Sequence, residues 1–242
     1  MHRKNIGGII LGGGYGYITN KEISKLVESV SYTEHKPMIR CVADVFLELG
    51  IHTTLVVVND LYACQIQEAL RGYFGHFVLQ YKRVGNGGAV KLCFPYILSL
   101  DETSQERIET IIILYGDMPL WRPSSINKLL KSHKETGAVI SMFSISIERD
   151  CPQTVFRYGR ILRDSSGNIL CIKEPYQLSA EEMRTAKTVN PSAWVFQRDW
   201  LDENIRFLEP HYSKDGYPPE FWLPDMVSHA VLQRRRINEV PL

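Results

Sequence analysis

A short apolar run near the start of the chain leads directly into closely spaced glycines. The glycines after Ile9–Leu11 are Gly12, Gly13, Gly14 and Gly16. Glycine lets backbone N–H groups converge on an anion and lets a nucleobase or a triphosphate approach the main chain closely. The spacing is neither that of a P-loop nor GxGxxG, and no Lys or Arg occurs between Lys4 and Lys21. Two interpretations therefore stay open, a phosphate-binding loop and a tight turn.

A second candidate site follows another apolar run. Ile111–Tyr115 leads into Gly116, Asp117 and Pro119. An Asp at the carboxyl end of a buried strand can hold Mg²⁺ against phosphates, although an Asp just before Pro also fits an ordinary turn. Ligands of open α/β sheets bind beyond the carboxyl ends of the strands. We therefore expect the Asp117 loop and the first glycine loop to face one crevice.

A second glycine-rich stretch spans Gln80–Ala89 and contains Asn86. Its three glycines precede a segment with helical character. Main-chain groups in such a loop can read the edge of a nucleobase, but the same glycines also fit the entry turn of a helix. Both interpretations remain open from the residues alone.

The elements that must position these loops follow an alternating pattern. Three brief β-branched runs predict strands that are buried on both faces, namely Ile9–Leu11, Thr54–Val58 and Ile111–Tyr115. The stretches between and beside them predict helices over Pro37–Leu49, Leu61–Phe74 and Gly88–Leu98. Alternation of strands and helices favours an α/β fold with a doubly wound, mostly parallel sheet.

The second half of the chain has a different pattern of predicted elements. It predicts strands over Ala138–Ile147 and Val189–Phe196, and a helix over Asp225–Gln233. Gly159–Leu162 and Ile169–Lys173 flank the turn-forming residues 164–168 and predict a β-hairpin. We find no internal repeat and no flexible linker, so residues 1–242 are expected to form one domain that includes a small portion with this hairpin.

Composition narrows the classes of partner and compartment. The net charge of +1 gives no reason to expect nucleic acid or an anionic membrane, and Arg234–Arg236 is interpreted as a solvated helix end. No apolar run approaches 18 residues, so no membrane span is expected. The five cysteines are odd in number and lack CxxC spacing, which is typical of reduced thiols in a cytoplasmic protein.

Three motifs in order carry a resemblance to a known family. They are LYGDMPL at 114–120, YGRI at 158–161 and EFWLPD at 220–225. Together they resemble the uridylyltransferase domain of bacterial N-acetylglucosamine-1-phosphate uridylyltransferases, in the sugar nucleotidyltransferase superfamily. The resemblance runs from about Ile6 to the last residues and implies a Rossmann-like nucleotidyltransferase fold. The β-helix acetyltransferase domain of the bifunctional enzymes has no counterpart in this sequence.

The resemblance implies a role for individual residues. Those that match nucleotide-binding positions are Leu11, Gly12, Gly13, Gly14, Gly16, Lys25, Gln80, Gly85 and Asn86. Within that set, Gln80, Gly85 and Asn86 match residues that read uracil, with Asn86 in the place of a Thr. Lys25 and Asp117 match the catalytic positions, where the Lys neutralises phosphate and the Asp holds Mg²⁺. The residues that match sugar-binding positions are Tyr115, Gly159, Glu174 and Asn190.

Besides Asn86, the sequence departs from the family pattern at four places. The catalytic Arg of the family corresponds to Ile18, whose side chain cannot supply the charge. The Pro before Lys25 is Ser24, and the family's NTG reads Asn190-Pro191-Ser192. The family's second metal-ligating Asn lies beyond EYYxTD, and this sequence ends before a counterpart. Candidates for a substitute cation are Lys21, Lys25, Lys36 and Arg83.

Three hypotheses for the function follow. The first is a sugar-1-phosphate nucleotidyltransferase that joins UTP, or another nucleoside triphosphate, to an N-acetylhexosamine 1-phosphate with the help of Mg²⁺. The second is a nucleotidyltransferase adapted to another phosphate acceptor or another nucleotide, as the changes at Asn86 and at Pro191-Ser192 favour. The third is a nucleotide-sugar binding module without catalysis, as Ile18 favours. Retention of Asp117 and Lys25 favours catalysis. The sequence leaves the oligomeric state open.

Overall fold

The computed structural model describes residues 3, 5–14, 23–29, 31, 35–73, 75–104, 107–148, 151–212 and 218–242. The strands of its main sheet are β1 (Ile6–Gly12), β2 (Thr53–Asn59), β3 (His76–Gln80), β4 (Thr110–Tyr115), β5 (Ile140–Ser146), β6 (Arg160–Arg163), β7 (Ile169–Lys173), β8 (Thr188–Val189), β9 (Trp194–Gln197) and β12 (Ile237–Pro241). A separate two-stranded ribbon consists of β10 (Pro210–His211) and β11 (Glu220–Phe221).

The helices cover both faces of the main sheet. They are α1 (Met38–Glu48), α2 (Ala63–Ala69), α3 (Gly85–Ser104), α4 (Pro123–Thr136), α5 (Ala180–Thr185), α6 (Arg198–Ile205) and α7 (Asp225–Leu232). Short 3-10 turns occur at Lys25–Val27, Gln153–Arg157 and Pro175–Gln177. No helix within the described ranges is long and apolar enough to cross a membrane.

The main sheet has the strand order β3-β2-β1-β4-β9-β5-β8-β6-β7, and β12 pairs with β5 outside this path. Strands β1–β6 and β12 run in one direction, whereas β7, β8 and β9 run in the other. The four strands at the β3 side are all parallel. The predicted doubly wound α/β sheet is therefore confirmed.

Successive residues of the central strands face opposite layers of the core, as the alternation of side chains along a strand requires. Ile9 of β1 packs on the side of α3, α6 and α7, whereas its neighbour Ile10 packs on the side of α1, α2 and α4. Both side chains are fully buried. Apolar residues without interruption in β1, β2 and β4 are thus explained by helices on both faces.

The predicted hairpin is confirmed as β6 and β7, joined by a turn in which Asp164 Oδ1 accepts the backbone N–H groups of Ser166 and Asn168. The prediction of one strand over Val189–Phe196 is wrong, because residues 190–193 separate β8 from β9. Pro191 has no N–H to donate to a ladder, and Ser192 has a left-handed φ of 60°.

Three helix predictions needed revised ends. The predicted helix over Leu61–Phe74 is confined to α2, and Phe74 lies outside the described residues. The helix predicted from Gly88 begins earlier, at Gly85, and continues through Pro95. The helix predicted over Pro37–Leu49 is α1, with Pro37 as its N-cap residue. Arg234–Arg236 is exposed directly after α7, as predicted for a solvated helix end.

Candidate functional site

The loops singled out in the sequence lie together at one edge of the sheet. Strands β1–β4 are parallel neighbours, so their carboxyl ends meet at the same edge. Leu11 is paired with both Val57 and Tyr115 in the ladder. The first glycine loop follows Leu11, and Asp117 follows Tyr115. The expected common crevice is therefore present in the fold.

The first glycine loop, Gly12–Gly14 in the structure, uses glycine for close approach. A Cβ on Gly12 would lie 2.9 Å from the carbonyl oxygen of Val57, and one on Gly13 would lie 2.7 Å from Oε1 of Gln80. A Cβ on Gly14 would meet nothing within 4 Å. None of the three has a positive φ. A side chain at Gly12 would thus collide with the backbone of β2, and one at Gly13 would displace the carboxamide of Gln80.

Two buried carboxamides hold this loop from below. Gln80 Nε2 donates to the carbonyl oxygen of Gly13 at 3.0 Å, and Asn59 Nδ2 donates to that of Gly14 at 3.2 Å. Asn59 Oδ1 in turn accepts the backbone N–H of Tyr62. Because these carbonyls are already bonded to the protein, the loop is held by neutral groups. Asn59 did not emerge from the sequence, although it directly follows the predicted strand Thr54–Val58 and ends β2 at this same edge.

A lysine and an aspartate form the charged centre of the crevice. Lys25 Nζ lies 2.7 Å from Oδ2 of Asp117, with 61% and 38% of the two side chains exposed. Lys25 begins a short 3-10 turn that is capped by Ser24, whose Oγ accepts the N–H of Leu26. Ser24 N also donates to Gln65 Oε1. Ser24, a departure from the family pattern, therefore helps to place Lys25.

The other candidate cations lie elsewhere. Lys36 pairs with Asp44 of α1 at 3.0 Å, and Arg83 Nε pairs with Glu220 Oε1 at 3.0 Å. Gly16, Ile18 and Lys21 lie outside the described residues. Of the candidates in the described part of the chain, Lys25 is therefore the one that contacts Asp117.

The second glycine loop, residues 83–88, which includes the first turn of α3, docks against the segment Glu220–Leu223. Gly85 has a φ of +72°, and a Cβ there would lie 2.4 Å from the carbonyl oxygen of Phe221. Asn86 Nδ2 donates to the hydroxyl of Tyr115 at 2.7 Å, while Asn86 Oδ1 accepts the N–H of Leu223 at 2.6 Å. The carboxamide predicted to read a base thus bonds two parts of the protein.

Tyr115 lies between the charged centre and the hairpin side of the crevice. Burial raises the pKa of its phenol, and the nearby carboxylates of Glu174 and Asp117 raise it further. The pKa of Tyr158 is also raised by burial and by Asp117. Both phenols therefore stay protonated at neutral pH and act as neutral hydrogen-bonding groups.

Glu174 and Gly159 lie side by side at the end of the hairpin. A Cβ on Gly159 would lie 3.5 Å from Oε1 of Glu174 and 2.8 Å from Cγ2 of Ile172. Burial raises the pKa of the Glu174 carboxyl, and the charge of Asp225 adds to the effect. Glycine at position 159 thus allows Ile172 to pack closely, next to a carboxylate that is costly to keep charged.

Asn190 is near this pair, but its carboxamide is engaged inside the protein. Asn190 N donates to the carbonyl oxygen of Gly159 at 2.9 Å. Its Nδ2 donates to Phe143 O and its Oδ1 accepts the N–H of Ser192, each at 3.0 Å. Only 3% of the residue is exposed. The structure therefore brings Asn190 to Gly159 as a support, and its predicted contact with a sugar remains a prediction.

Aromatic rings and carboxylates form what we call the acidic wall, consisting of Glu174, Tyr176, His211 and Glu220–Asp225. The rings of His211 and Trp222 stack with centroids 3.6 Å apart, and Tyr176 meets Trp222 edge to face at 6.0 Å. His211 Nε2 lies 2.6 Å from Asp225 Oδ2. Burial, with help from the three carboxylates of the wall, raises the pKa of Tyr176 to about 12. Sequence reasoning missed Tyr176 and His211, and the EFWLPD motif was the signal for the wall.

The described part of the crevice offers few side-chain ligands for a metal ion. Among the described residues, no three His, Cys, Asp or Glu side chains form a group that could hold one. Mg²⁺ is commonly bound by one or two carboxylates together with substrate phosphates and water. The partly exposed carboxylate of Asp117 fits such an ion if a nucleotide supplies the other ligands.

Comparisons with known proteins show what the chain is similar to. The family model described as nucleotidyl transferase matches residues 7–219. The chain is 29% identical over 222 residues to the bifunctional protein GlmU of Exiguobacterium sibiricum, covering 92% of this chain and 44% of that protein. It is 28% identical over 232 residues to the same-named protein of Carboxydothermus hydrogenoformans, covering 96% and 46%. The chain thus spans about half the length of these curated relatives.

Solved structures support the fold. A putative glucose-1-phosphate thymidylyltransferase from Bacillus anthracis, solved with a sucrose, matches with a TM-score of 0.71 and 15% identity, over 98% of this chain and 87% of that one. The inositol-1-phosphate CTP transferase from T. maritima matches with a TM-score of 0.69 and 15% identity, over 97% and 84%. The resemblance noted in the sequence to the uridylyltransferase domain is confirmed by the matches to the family and its relatives.

Proposed function

Because the chain belongs to the nucleotidyl transferase family, we propose that it transfers a nucleotidyl group from a nucleoside triphosphate to the phosphate of an acceptor. UTP and an N-acetylhexosamine 1-phosphate form the first candidate pair, since LYGDMPL, YGRI and EFWLPD resemble motifs of N-acetylglucosamine-1-phosphate uridylyltransferases. The observation that carries the proposal is the contact of Lys25 with Asp117 at the sheet edge that also holds both glycine loops.

The reaction asks the protein for positioning and charge neutralisation. An oxygen of the acceptor phosphate attacks the α-phosphorus in line, a new P–O bond forms, and the bond to the β-phosphate breaks to release pyrophosphate. Gly12–Gly14 lets the triphosphate approach the main chain. Lys25 is released from Asp117 at little cost, because exposed ion pairs contribute only about 0–1 kcal/mol, and its ammonium then neutralises phosphate.

Asp117 is the residue that would hold Mg²⁺. The ion, when bound, neutralises charge on the phosphate oxygens. Lys25 is also our candidate for the cation that replaces the family's catalytic Arg, since this chain has Ile18 at that position. Loss of one charged donor typically slows a reaction by about 10²–10³-fold, so we expect either a slow enzyme or full compensation by Lys25.

A second candidate is transfer to a different phosphate acceptor. Asn190, which matches a sugar-binding position, has its carboxamide bonded to Phe143 and Ser192. The acidic wall offers instead carboxylates and the rings of Tyr176 and Trp222. These groups suit hydroxyl or ammonium donors on an acceptor.

The test is pyrophosphate release with Mg²⁺, using four nucleoside triphosphates against sugar 1-phosphates and other phosphate monoesters. We expect one pair to react in the wild type, and Asp117→Ala to slow it by at least about 100-fold. Glu203→Ala, at an exposed position on α6, serves as the matched control and is expected to keep the wild-type rate. Nucleotide binding without release for any pair would contradict the proposed function.

A further inference from the structure

We propose that Asn86 is a positioning residue that ties the second glycine loop to the acidic wall, and that it does not read the nucleobase. The expected effects on kcat and KM rest on the proposed nucleotidyl transfer. Its structural basis is a carboxamide whose two ends are bonded to two different segments, Tyr115 and Leu223.

The loop and the wall meet along a continuous seam. Phe221 N donates to the carbonyl oxygen of Val84 at 2.9 Å, and Arg83 pairs with Glu220 at 3.0 Å. Asn86 Oδ1 then accepts the N–H of Leu223 at 2.6 Å. These three contacts follow one another along both segments. The second glycine loop is therefore docked on the chain that carries Trp222 and Asp225.

Glycines in the loop make this docking possible. A Cβ on Gly85 would lie 2.4 Å from the carbonyl oxygen of Phe221, and one on Gly87 would lie 3.1 Å from Leu223 N. The main chains approach too closely for side chains at these positions. The glycines here serve contact with the wall as well as any contact with a nucleotide.

The other end of Asn86 bonds to the last residue of β4, the strand that leads to Asp117. Asn86 Nδ2 donates to the Tyr115 hydroxyl at 2.7 Å, and Tyr115 is two residues before Asp117. A primary carboxamide offers a donor and an acceptor on one planar group, which a backbone N–H and a phenol oxygen require together. A Thr hydroxyl is shorter and offers one oxygen for both tasks. The replacement of Thr by Asn therefore fits a bridge.

The two roles considered for Asn86, bridging two segments or reading the nucleobase, predict opposite results in one experiment. We would measure the affinities of ATP, CTP, GTP and UTP by calorimetry for the wild type, Asn86→Leu and Asn86→Thr, and then the KM and kcat of the reacting pair. As a bridge, Asn86→Leu lowers kcat/KM for nucleotide and acceptor together by about 10- to 100-fold, because two hydrogen bonds are lost. The rank order of the four nucleotides stays that of the wild type. A changed rank order would overturn the proposal.

A double-mutant cycle tests the bridge independently of activity. Asn86→Leu, Tyr115→Phe and the double variant are compared by urea denaturation. If the two side chains act through one hydrogen bond, Tyr115→Phe changes the unfolding midpoint less in the Asn86→Leu background than in the wild type. Additive shifts would overturn the proposal. Should the wild type bind nucleotides and turn over no pair, the proposed function fails, while the rank order and the cycle still decide the role of Asn86.

Discussion

The two sides of the crevice are built from different chemistry. The proposed nucleotide side, formed by Gly12–Gly14 and Gly85–Gly88 with Gln80 and Asn59 beneath, consists of main chain and neutral carboxamides. The acidic wall consists of carboxylates and aromatic rings. A triphosphate is an anion that suits N–H groups, whereas hydroxyl or ammonium groups of an acceptor suit carboxylates. The contrast indicates which ligand each side of the crevice accommodates.

The sharpest test of this contrast is at the one cation of the described crevice that contacts Asp117. Lys25→Met removes the positive charge and is expected to lower kcat/KM for the nucleotide by about 10²–10³-fold. Lys36→Met is the control, because Lys36 pairs with Asp44 on α1. Steady-state kinetics of both variants decide the point. Equal rates for Lys25→Met and the wild type would mean that the nucleotide side needs no charge from Lys25.

The second test concerns stability. Gly85→Ala places a Cβ 2.4 Å from a carbonyl oxygen at a φ of +72°, so we expect it to lower the free energy of unfolding by about 3 kcal/mol or more. Gly137→Ala is matched, since Gly137 has a φ of +60° and open space around it, and we expect a loss of about 1 kcal/mol. Urea denaturation measures both. Similar losses would show that the close approach to Phe221 contributes nothing.

The acidic wall is tested at Glu174. Glu174→Gln is expected to raise the acceptor KM by about 10- to 100-fold, because a hydrogen bond to a charged group is lost. The nucleotide KM should change little. Glu181→Gln, at an exposed position on α5, is the control. A rise in the nucleotide KM alone would reverse the assignment of the two sides.

The same substitution has a pH-dependent effect on stability. The folded protein raises the pKa of Glu174 through burial and Asp225, so the folded state binds this proton more tightly than the unfolded state. The carboxyl therefore destabilises the fold as the pH rises from its ordinary pKa of about 4.3 through the raised value. We expect Glu174→Gln to have the higher Tm at pH 8 and to lose that advantage at pH 4. An equal difference at both pH values would contradict this.

The smallest expected effect is at the first glycine loop. Gly13→Ala places a Cβ 2.7 Å from Gln80 Oε1 and should lower the free energy of unfolding by about 1–2 kcal/mol as Gln80 moves. Gly14→Ala has open space and should stay within about 0.5 kcal/mol. The comparison is read from denaturation midpoints. If Gly14→Ala is the more damaging change, Gln80 does not support the loop.

The sequence predicted those parts of the fold that depend on local pattern. Strands β1, β2 and β4 were visible as uninterrupted β-branched runs. Helix α6 and strand β12, near the carboxyl end, were not predicted. Helix α4 was missed, although Ile126, Leu129, Leu130 and His133 are buried at helical spacing. Strand β3 is short, and its first residue is exposed. A strand as brief as β3 carries too few residues for a period to stand out.

The candidate site was predictable only where contacts follow from strand order. Parallel strands bring the first glycine loop and Asp117 to one edge, which sequence reasoning anticipated. The bond between Asn86 and Leu223 joins residues 137 positions apart, and no local pattern encodes it. The same is true of Lys25 and Asp117, which are 92 positions apart. Side-chain pairing of this kind depends on packing that only the folded chain defines.

The tight packing around Gly12, Gly13 and Gly85 determines where this scaffold can be redesigned. A side chain at Gly12 or Gly85 collides with a backbone carbonyl oxygen, and one at Gly13 displaces the Gln80 carboxamide, so substitutions at these positions cost stability. Tyr176, by contrast, is 72% exposed, and many side chains fit at such a position. An engineer who wants a new product should therefore randomise the acidic wall and leave the glycines unchanged. If the proposed assignment of the two sides holds, the acceptor is the easier ligand to change in this protein and the nucleotide is the harder one.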